Sequence, residues 1–315
     1  MRLARLTLLG SLSLALACMT VPAPLPPPPP LPPLVLQPPA PPPKPRVALV
    51  LGGGAARGFA HVGVIRALEQ EHIPIDLVVG TSVGSLIGAL YAADVDSFDL
   101  EWTAFKLEKD DLFDFGMMTA VMGMGFARGE RLEQFVRSRI KPPNIEDLKI
   151  PFAAVATDLN WGTKVVIDRG SVARAVRASS AIPGVFQPVQ HMGKLLVDGG
   201  VVDNIPVSVA RAKGADIVIA SDISEDIANT RITNLMDVTM QATNIMFALN
   251  VEHSKRDADV LITPAVGSVA MLDFTQKKHC MQAGIEAAHR AAPAIRQAIA
   301  GWVAAHQRGA VSTVP

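Results

Sequence analysis

The sequence predicts an α/β fold of three layers, a mostly parallel central sheet with helices on both faces. Apolar runs typical of buried strands recur along the chain, at 47–51, 77–79, 152–156, 195–197 and 216–220. Stretches of helical character separate these runs, and such alternation is typical of parallel sheets. The chain has 315 residues, 49% of them hydrophobic, enough for one large α/β domain after an N-terminal extension.

The charge pattern and the motif content exclude several classes of function. The chain has 29 basic and 29 acidic residues, and no basic stripe is present, so we expect no nucleic-acid partner. The sequence contains no H-E-x-x-H motif, no paired C-x-x-C motif and no acidic calcium loop. We therefore predict neither a metal site nor a cofactor.

Ser82 lies in the most informative motif of the chain, G-x-S-x-G, between Gly80 and Gly84. A strand-like run, 77–79, precedes the motif, and a helix-like stretch, 85–92, follows it. A serine on such a tight strand-to-helix turn has its hydroxyl exposed at the sheet edge, beside a helix N-terminus. The pattern favours a nucleophilic serine, and an ordinary glycine-rich turn is the alternative interpretation.

A second glycine-rich turn, 52–58, follows the first predicted strand and precedes a helical stretch, 59–71. Glycines allow several backbone N–H groups to point into one concavity, where they can bind an anion. In an acyl hydrolase this concavity would be the oxyanion hole. A dinucleotide-binding loop is less well supported, because Arg57 stands where the G-x-G-x-x-G fingerprint needs its third glycine.

A nucleophilic serine needs a base, and no histidine of the chain has the expected context. His253, His279 and His289 lie outside any glycine-rich turn at a strand end, and His61 falls on the helix after the glycine loop, where we expect it to be packed or capping. Asp198 is the better candidate, because it follows a strand-like run directly and lies on a tight turn where Gly199 and Gly200 allow close backbone approach. Asp158 and Asp222 also follow apolar strands, and spacing alone does not choose among these three aspartates.

Taken together, these motifs resemble those of the bacterial patatin-like phospholipases over about 46–264. The glycine block of that family resembles 53–58, its G-x-S-x-G block resembles 80–84, and its D-G-G/A block resembles 198–200. Two further segments, 155–159 and 178–188, are also similar. The resemblance implies a patatin-like fold and hydrolysis of lipid acyl esters without a metal. It also implies a catalytic dyad, with Ser82 as the nucleophile and Asp198 as the base.

The resemblance further implies supporting roles for several residues around the dyad. We expect the oxyanion donors at Gly53, Gly54 and Ala55, with further support from these residues: Arg57, Gly58, Gly80, Gly84, Gly199 and Gly200. Ala55 departs from the family block, which has a third glycine there. We expect this alanine to be harmless, because Ala55 and Ala56 can begin the helix. Arg57 either pins the glycine loop or meets a lipid phosphate.

Methionine and phenylalanine are concentrated between residues 96 and 140, and such side chains can line an adaptable acyl-chain pocket or a lid. The residues concerned are Phe113, Phe115, Met117, Met118, Met122, Met124 and Phe126. Packing in an ordinary core is the alternative interpretation.

The N-terminus predicts export. Residues 1–17 have the layout of a signal peptide, with Arg2 and Arg5 before a short apolar stretch. Cys18 follows a lipobox-like segment, so we expect lipid attachment there. A proline-rich linker, 18–45, and a hydrolase domain, 46–315, would then place the protein on a bacterial outer membrane, facing the periplasm. A soluble secreted or periplasmic protein is the alternative.

The expected substrate class is phospholipid or lysophospholipid, and it rests on the resemblance. Two other functions stay open. One is a carboxylesterase or thioesterase with the same mechanism that acts on soluble esters, and the other is a non-catalytic lipoprotein that binds lipid. The sequence predicts a membrane surface as a partner and identifies no protein partner.

Overall fold

The structure is a computed structural model that describes residues 44–94, 97–112, 114, 127–224, 226–227, 232–233 and 235–311. The signal peptide, Cys18 and nearly all of the linker lie outside the described residues. The seven methionines and phenylalanines predicted to line a pocket or a lid also lie outside them.

The central sheet has eight strands within the described residues and is mostly parallel. The strands are β1 Val47–Leu51, β2 Leu77–Thr81, β3 Phe152–Asp158, β4 Thr163–Ile167, β5 Val189–His191, β6 Lys194–Asp198, β7 Ile217–Ser221 and β8 Val260–Ile262. Neighbours in the series β3-β2-β1-β7-β8 are parallel, whereas β4, β5 and β6 pair antiparallel. The five predicted strands are confirmed, and β4, β5 and β8 are additional.

Strand β3 is the longest of the sheet, and two strands share one of its edges. Its first half pairs with β2, and the last pair of that register joins Val155 to Thr81. Its second half pairs with β6, and the first pair there joins Ala156 to Asp198. Because β4 occupies the other edge along both halves, β2 and β6 lie on the same edge and run toward each other. Their ends therefore meet.

Helices cover both faces of the sheet, as predicted. The helices are α1 Phe59–Gln70, α2 Val83–Asp94, α3 Ser97–Lys106, α4 Lys109–Leu112, α5 Glu130–Arg139, α6 Val172–Ser179, α7 Val207–Ala212, α8 Leu235–Ser254 and α9 Lys277–Val311. One apolar core packs α1, α2, α6 and α9 against one face, and a smaller core packs α7 and part of α8 against the other. In the described part of the chain, none of these helices combines the length and the apolarity that a membrane span requires.

Helices α1 and α9 pack at unusually close range. A methyl group at Gly63 of α1 would lie 2.0 Å from the carbonyl oxygen of Met281, and one at Gly284 of α9 would lie 2.0 Å from that of Ala60. Real Cβ atoms do not approach so closely, so the two glycines allow the backbones of the helices to touch. This contact fixes the helix that follows the glycine-rich loop.

We expect Gly284→Ala to lower the free energy of unfolding by about 2–3 kcal/mol, because overpacking must push the two helices apart. The matched control is Gly301→Ala in the same helix, where the added methyl group meets no atom within 4 Å. That change should leave stability unchanged or raise it by up to about 1 kcal/mol. Thermal unfolding of both variants measures the difference, and equal shifts in Tm would contradict the close contact.

Candidate active site

Ser82 lies between the end of β2 and the start of α2, as its motif predicts. Its φ is +55°, in the left-handed region that costs a non-glycine residue on the order of 1–3 kcal/mol. Gly80 and Gly84 make the turn possible, because a methyl group on either would lie within 2.3 Å of a backbone oxygen. The Ser82 N–H donates to Ser179 Oγ at 3.0 Å, which holds the strained peptide in place.

Asp198 ends β6 and is fully buried, with 0% of its surface exposed. Its Oδ1 accepts a hydrogen bond from the Gly200 N–H at 2.8 Å. Its Oδ2 is buried and, among the described residues, has no hydrogen bond of ordinary geometry. Burial raises the pKa of Asp198 to about 7, although the Ser82 hydroxyl and the Gly200 amide each lower it. The Ser82 hydroxyl is therefore near enough to interact with a carboxyl group that has one oxygen to spare.

The two other candidate aspartates are engaged elsewhere. Asp158 Oδ2 lies 3.1 Å from Lys194 Nζ. Burial alone would raise the pKa of Asp158, but the hydrogen bond and charge of Lys194, together with the amides of Asn160 and Trp161, hold it below its usual range. Asp222 Oδ1 accepts hydrogen bonds from the Ser224 amide and hydroxyl at 3.0 and 2.6 Å. Of the three aspartates, Asp198 is the one whose carboxyl group interacts with Ser82.

His61 is engaged with the backbone of the glycine loop and with Ser221. His61 is fully buried in α1, where Nε2 lies 2.8 Å from the Gly52 carbonyl oxygen and Nδ1 lies 3.0 Å from Ser221 Oγ. Because a carbonyl oxygen only accepts, Nε2 carries the proton. Burial lowers the pKa of His61 to about 4, so its ring is neutral and supports the glycine loop. His61 is thus a packed residue, as expected.

The glycine-rich loop points part of its backbone toward Ser82. Asn204 Oδ1 accepts a hydrogen bond from the Gly53 N–H at 3.1 Å, and Asn204 Nδ2 donates to the Gly53 carbonyl oxygen at 3.4 Å. Gly53 is thus a fixed part of the loop rather than a free donor, contrary to the prediction. The N–H groups of Gly54 and Ala55 meet no acceptor in the described part of the chain.

The expectation that Ala55 is helical is wrong. Its φ is +47°, and α1 begins only at Phe59, after a 3-10 turn over Ala55–Gly58. The left-handed conformation places the Cβ of an alanine too near the following carbonyl group and costs roughly 1–2 kcal/mol. Ala55 nevertheless lines the same cavity as Ser82.

Arg57 is almost fully buried and pins the glycine loop. Its Nε donates to the Ile223 carbonyl oxygen and its Nη1 to that of Val269, both at 2.9 Å. Of the two interpretations offered for this side chain, the structure favours the structural one.

The predicted supporting glycines occur where neighbouring groups approach closely. A methyl group at Gly58 would lie 2.2 Å from Val83 Cγ2, and one at Gly199 would lie 2.2 Å from the Val155 carbonyl oxygen. One at Gly200 would lie 2.8 Å from the ring of Phe247. These glycines allow the glycine loop to approach α2 closely, and they allow the end of β6 to approach β3 and α8.

A mainly apolar cavity opens beside Ser82. Its lining consists of Ala55, Gly58, Phe59, Ser82, Val83, Leu86, Ile87, Leu107, Leu112, Leu132, Ser180, Ile182, Phe186 and Phe274. Leu107, Leu112 and Leu132 fall within 96–140, the interval expected to contribute to a pocket, although the aromatic and methionine residues singled out there lie outside the described residues. No histidine is among the described residues that line it. Within the described ranges, no group of three or more His, Cys, Asp or Glu residues could hold a metal ion.

Asn204 and Ser179 belong to the site and were missed by sequence reasoning. Asn204 follows Asp198 by six residues, and Ser179 lies in a segment already noted as similar to the patatin-like phospholipases. Neither position has a local pattern that reveals its partner, because both hydrogen bonds join residues about 100–150 positions apart.

A family model described as patatin-like phospholipase matches residues 49–211, which include the glycine loop, Ser82 and Asp198. The chain belongs to this family. It is 30% identical to lysophospholipase NTE1 of Scheffersomyces stipitis over 278 residues, which are 78% of this chain and 18% of the relative. It is 41% identical to lysophospholipase NTE1 of Mycosarcoma maydis over 179 residues, 56% of this chain and 10% of the relative.

A bacterial relative agrees with this assignment, and a solved structure shares the fold. An uncharacterised NTE family protein of Mycobacterium tuberculosis is 39% identical over 179 residues, 56% of this chain and 49% of that protein. The chain thus spans less than half the length of these curated relatives. VipD from Legionella pneumophila shares the fold, with a TM-score of 0.55 and 15% identity over 81% of this chain and 67% of VipD.

Asp198→Asn should stabilise the protein at alkaline pH. Since the pKa of Asp198 rises from 3.8 to about 7 on folding, the folded state binds the proton more tightly, and stability falls as pH rises through this range. An amide keeps the shape without the buried charge. Denaturant unfolding should show equal stability at pH 4 and a gain of about 2–4 kcal/mol at pH 8.

The control for this prediction is Asp158→Asn, which removes the carboxylate that pairs with Lys194. The pKa of Asp158 is lowered in the folded state, so its charge stabilises the protein above the ordinary pKa of aspartate. This variant should therefore lose stability at pH 8. A loss of similar size in Asp198→Asn would contradict the raised pKa of Asp198.

Ala55→Gly should relieve the backbone strain at this position and raise the free energy of unfolding by up to about 1 kcal/mol. Ala56→Gly is the matched control, because Ala56 is buried and has no positive φ. It should lower stability by about 1 kcal/mol. Thermal unfolding of both variants measures these changes in stability. A loss of stability in Ala55→Gly would contradict the backbone strain at Ala55.

Proposed function

We propose that the protein is a serine lipid acyl hydrolase of the phospholipase A or lysophospholipase type. One observation carries the proposal, namely the Ser82 hydroxyl beside the buried carboxyl group of Asp198, whose Oδ2 has no hydrogen bond of ordinary geometry within the described part of the chain. A carboxylate whose pKa lies near 7 is basic enough to take a serine proton near neutral pH. Membership of the patatin-like phospholipase family supports the same pairing.

In the proposed reaction, Ser82 Oγ attacks the carbonyl carbon of an acyl ester while Asp198 Oδ2 takes the serine proton. The negative charge then develops on the carbonyl oxygen. The N–H groups of Gly54 and Ala55 are the best candidates to stabilise it, because neither has an acceptor among the residues that the structure describes and Ala55 lines the cavity. Such donors are each worth about 3–4 kcal/mol in acyl transfer.

Asp198 returns the proton to the departing alcohol, which leaves an acyl-enzyme on Ser82. Water, deprotonated by Asp198, hydrolyses this intermediate and releases the fatty acid. The proton passes back to Ser82, so the cycle needs neither a metal nor a cofactor.

The substrate class is supported by the cavity and by the relatives. The leucine, isoleucine and phenylalanine side chains around Ser82 suit the apolar acyl chain of a lipid ester better than they suit a polar acyl group. The fungal relatives are named lysophospholipases. A carboxylesterase or thioesterase acting on soluble esters would use the same dyad, so chain-length dependence distinguishes it. A lipid-binding protein without catalysis would not need the raised pKa of Asp198.

For its location, we propose attachment to a bacterial outer membrane through lipid on Cys18, on the periplasmic side. This part of the proposal rests on the sequence of residues 1–45 alone.

We expect the wild-type protein to release fatty acid from phospholipid vesicles in excess chelator. Ser82→Ala and Asp198→Asn should each lose at least about a thousandfold of this activity, because each removes one half of the proton transfer. Asp158→Asn is the control for the base and should retain most of the activity wherever the protein stays folded. kcat/KM should rise with pH through about 7, as Asp198 loses its proton.

Several results would overturn this proposal. Activity that survives Asp198→Asn would mean that another group is the base. Hydrolysis of short soluble esters through Ser82 without any release from lipids would favour the esterase. An inert wild type on both substrates would favour the lipid-binding protein.

A further inference from the structure

Two turns stand side by side at the end of the sheet that carries Ser82. One joins β3 to β4 and contains Leu159 and Trp161, and the other joins β5 to β6 and contains Met192. The Leu159 N–H donates to the Leu195 carbonyl oxygen at 2.8 Å, which ties the first turn to β6. Since β6 runs from the second turn down to Asp198, four residues at ~3.3 Å each put the turns ~13 Å beyond that residue.

These turns expose three large apolar side chains. Leu159 is 50% exposed, Trp161 80% and Met192 80%. We call these three residues the apolar tip. Single exposed apolar residues are common, but three on adjoining turns form a patch that lacks any cover among the described residues. Tryptophan favours the boundary between water and lipid, because its ring is apolar and its N–H is polar.

Two lysines near the apolar tip are each paired with an aspartate. The segments 159–167 and 187–197 contain Lys164 and Lys194 and no carboxylate. Each lysine pairs with an aspartate that is itself buried, Asp203 at 2.6 Å and Asp158 at 3.1 Å. The lysine side chains are 34% and 47% exposed and the two acids 7% and 1%, so the cations face outward and the anions inward. Lysine side chains that face outward can contact the phosphates of an anionic bilayer.

We propose that the apolar tip docks the domain on a lipid surface that contains anionic phospholipid. Trp161 and Met192 insert into the boundary between headgroups and acyl chains, while Lys164 and Lys194 lie at the phosphates. Docking in this way turns the end of the sheet that carries Ser82 and Asp198 toward the lipid. This inference rests on the proposed lipid hydrolysis, because it names the surface on which that reaction takes place.

The three tryptophans of the chain allow a direct test of contact. They are Trp102, Trp161 and Trp302, which lie on α3, on the apolar tip and on α9. The full chain with Ser82→Ala is mixed with vesicles of brominated phosphatidylcholine and phosphatidylglycerol, and the quenching of tryptophan fluorescence is measured. Trp161→Phe should abolish most of the quenching. Trp102→Phe, at another exposed tryptophan, should preserve it.

Activity supplies the second test. Trp161→Ser with Met192→Ser should lower fatty-acid release from the vesicles about tenfold or more, since the lost apolar area weakens docking. Hydrolysis of a short soluble ester should not change, because neither residue lines the cavity. Trp102→Ser is the control. The loss on the tip variant should be larger with anionic vesicles than with pure phosphatidylcholine.

The possible results test the docking inference separately from the proposed catalytic function. Quenching that survives Trp161→Phe, or that disappears with Trp102→Phe, would overturn the inference. A tip variant that alters self-association without altering quenching would assign the tip to a contact between copies and overturn it as well. A wild type that cleaves no ester but is quenched through Trp161 would refute the proposed function and leave the docking surface standing.

Discussion

The pairing of β3 with both β2 and β6 along one edge is the constraint on which the rest of the site depends. Parallel β2 ends at Thr81, opposite Val155, and antiparallel β6 ends at Asp198, opposite Ala156. Two strands that meet head-on bring their terminal residues together without any long loop. Pairing with β3 therefore fixes Asp198 directly, and it fixes Ser82 through the neighbouring Thr81.

This arrangement brings strained backbone conformations and a buried titratable group together at one place. Ser82 and Ala55 both adopt left-handed φ angles, and Asp198 is a titratable group without exposure to water. Each would relax if the surrounding structure allowed it. The Ser179 hydroxyl, the Asn204 amide and the packed glycines at β2 and α2 prevent this relaxation. Strain of this kind is stable only where neighbouring elements over-determine the backbone.

Local patterns predicted the parts of the site that local chemistry fixes. Ser82 was predicted because its turn requires glycines at 80 and 84, and Asp198 was a candidate because an Asp-Gly-Gly turn follows a strand. The choice of Asp198 over Asp158 rested on family resemblance. The decisive physical reason, a strand that runs antiparallel into the end of β2, depends on two pairings that local patterns do not reveal, Thr81 with Val155 and Asp198 with Ala156.

The wrong predictions for Ala55 and Gly53 also arose because local patterns do not reveal contacts between distant parts of the chain. Ala55 was expected to be helical because Ala-Ala favours a helix, but the turn imposes a left-handed backbone before Phe59. Gly53 was expected to donate to an oxyanion, but its N–H is taken by Asn204, which reaches it from a loop 151 residues away. Helix propensity and local motifs depend on neighbours in sequence, so they do not reveal partners that are distant in the chain.

Burial also explains why a carboxylate rather than a histidine suits the role of base here. Removing water disfavours the charged form of any group, so it raises the pKa of an acid and lowers that of an imidazole. Both effects occur in this core, where the pKa of Asp198 rises to about 7 and that of His61 falls to about 4. At neutral pH the buried carboxylate therefore binds a proton more tightly than the buried histidine does. Burial of this kind makes aspartate the stronger base of the two.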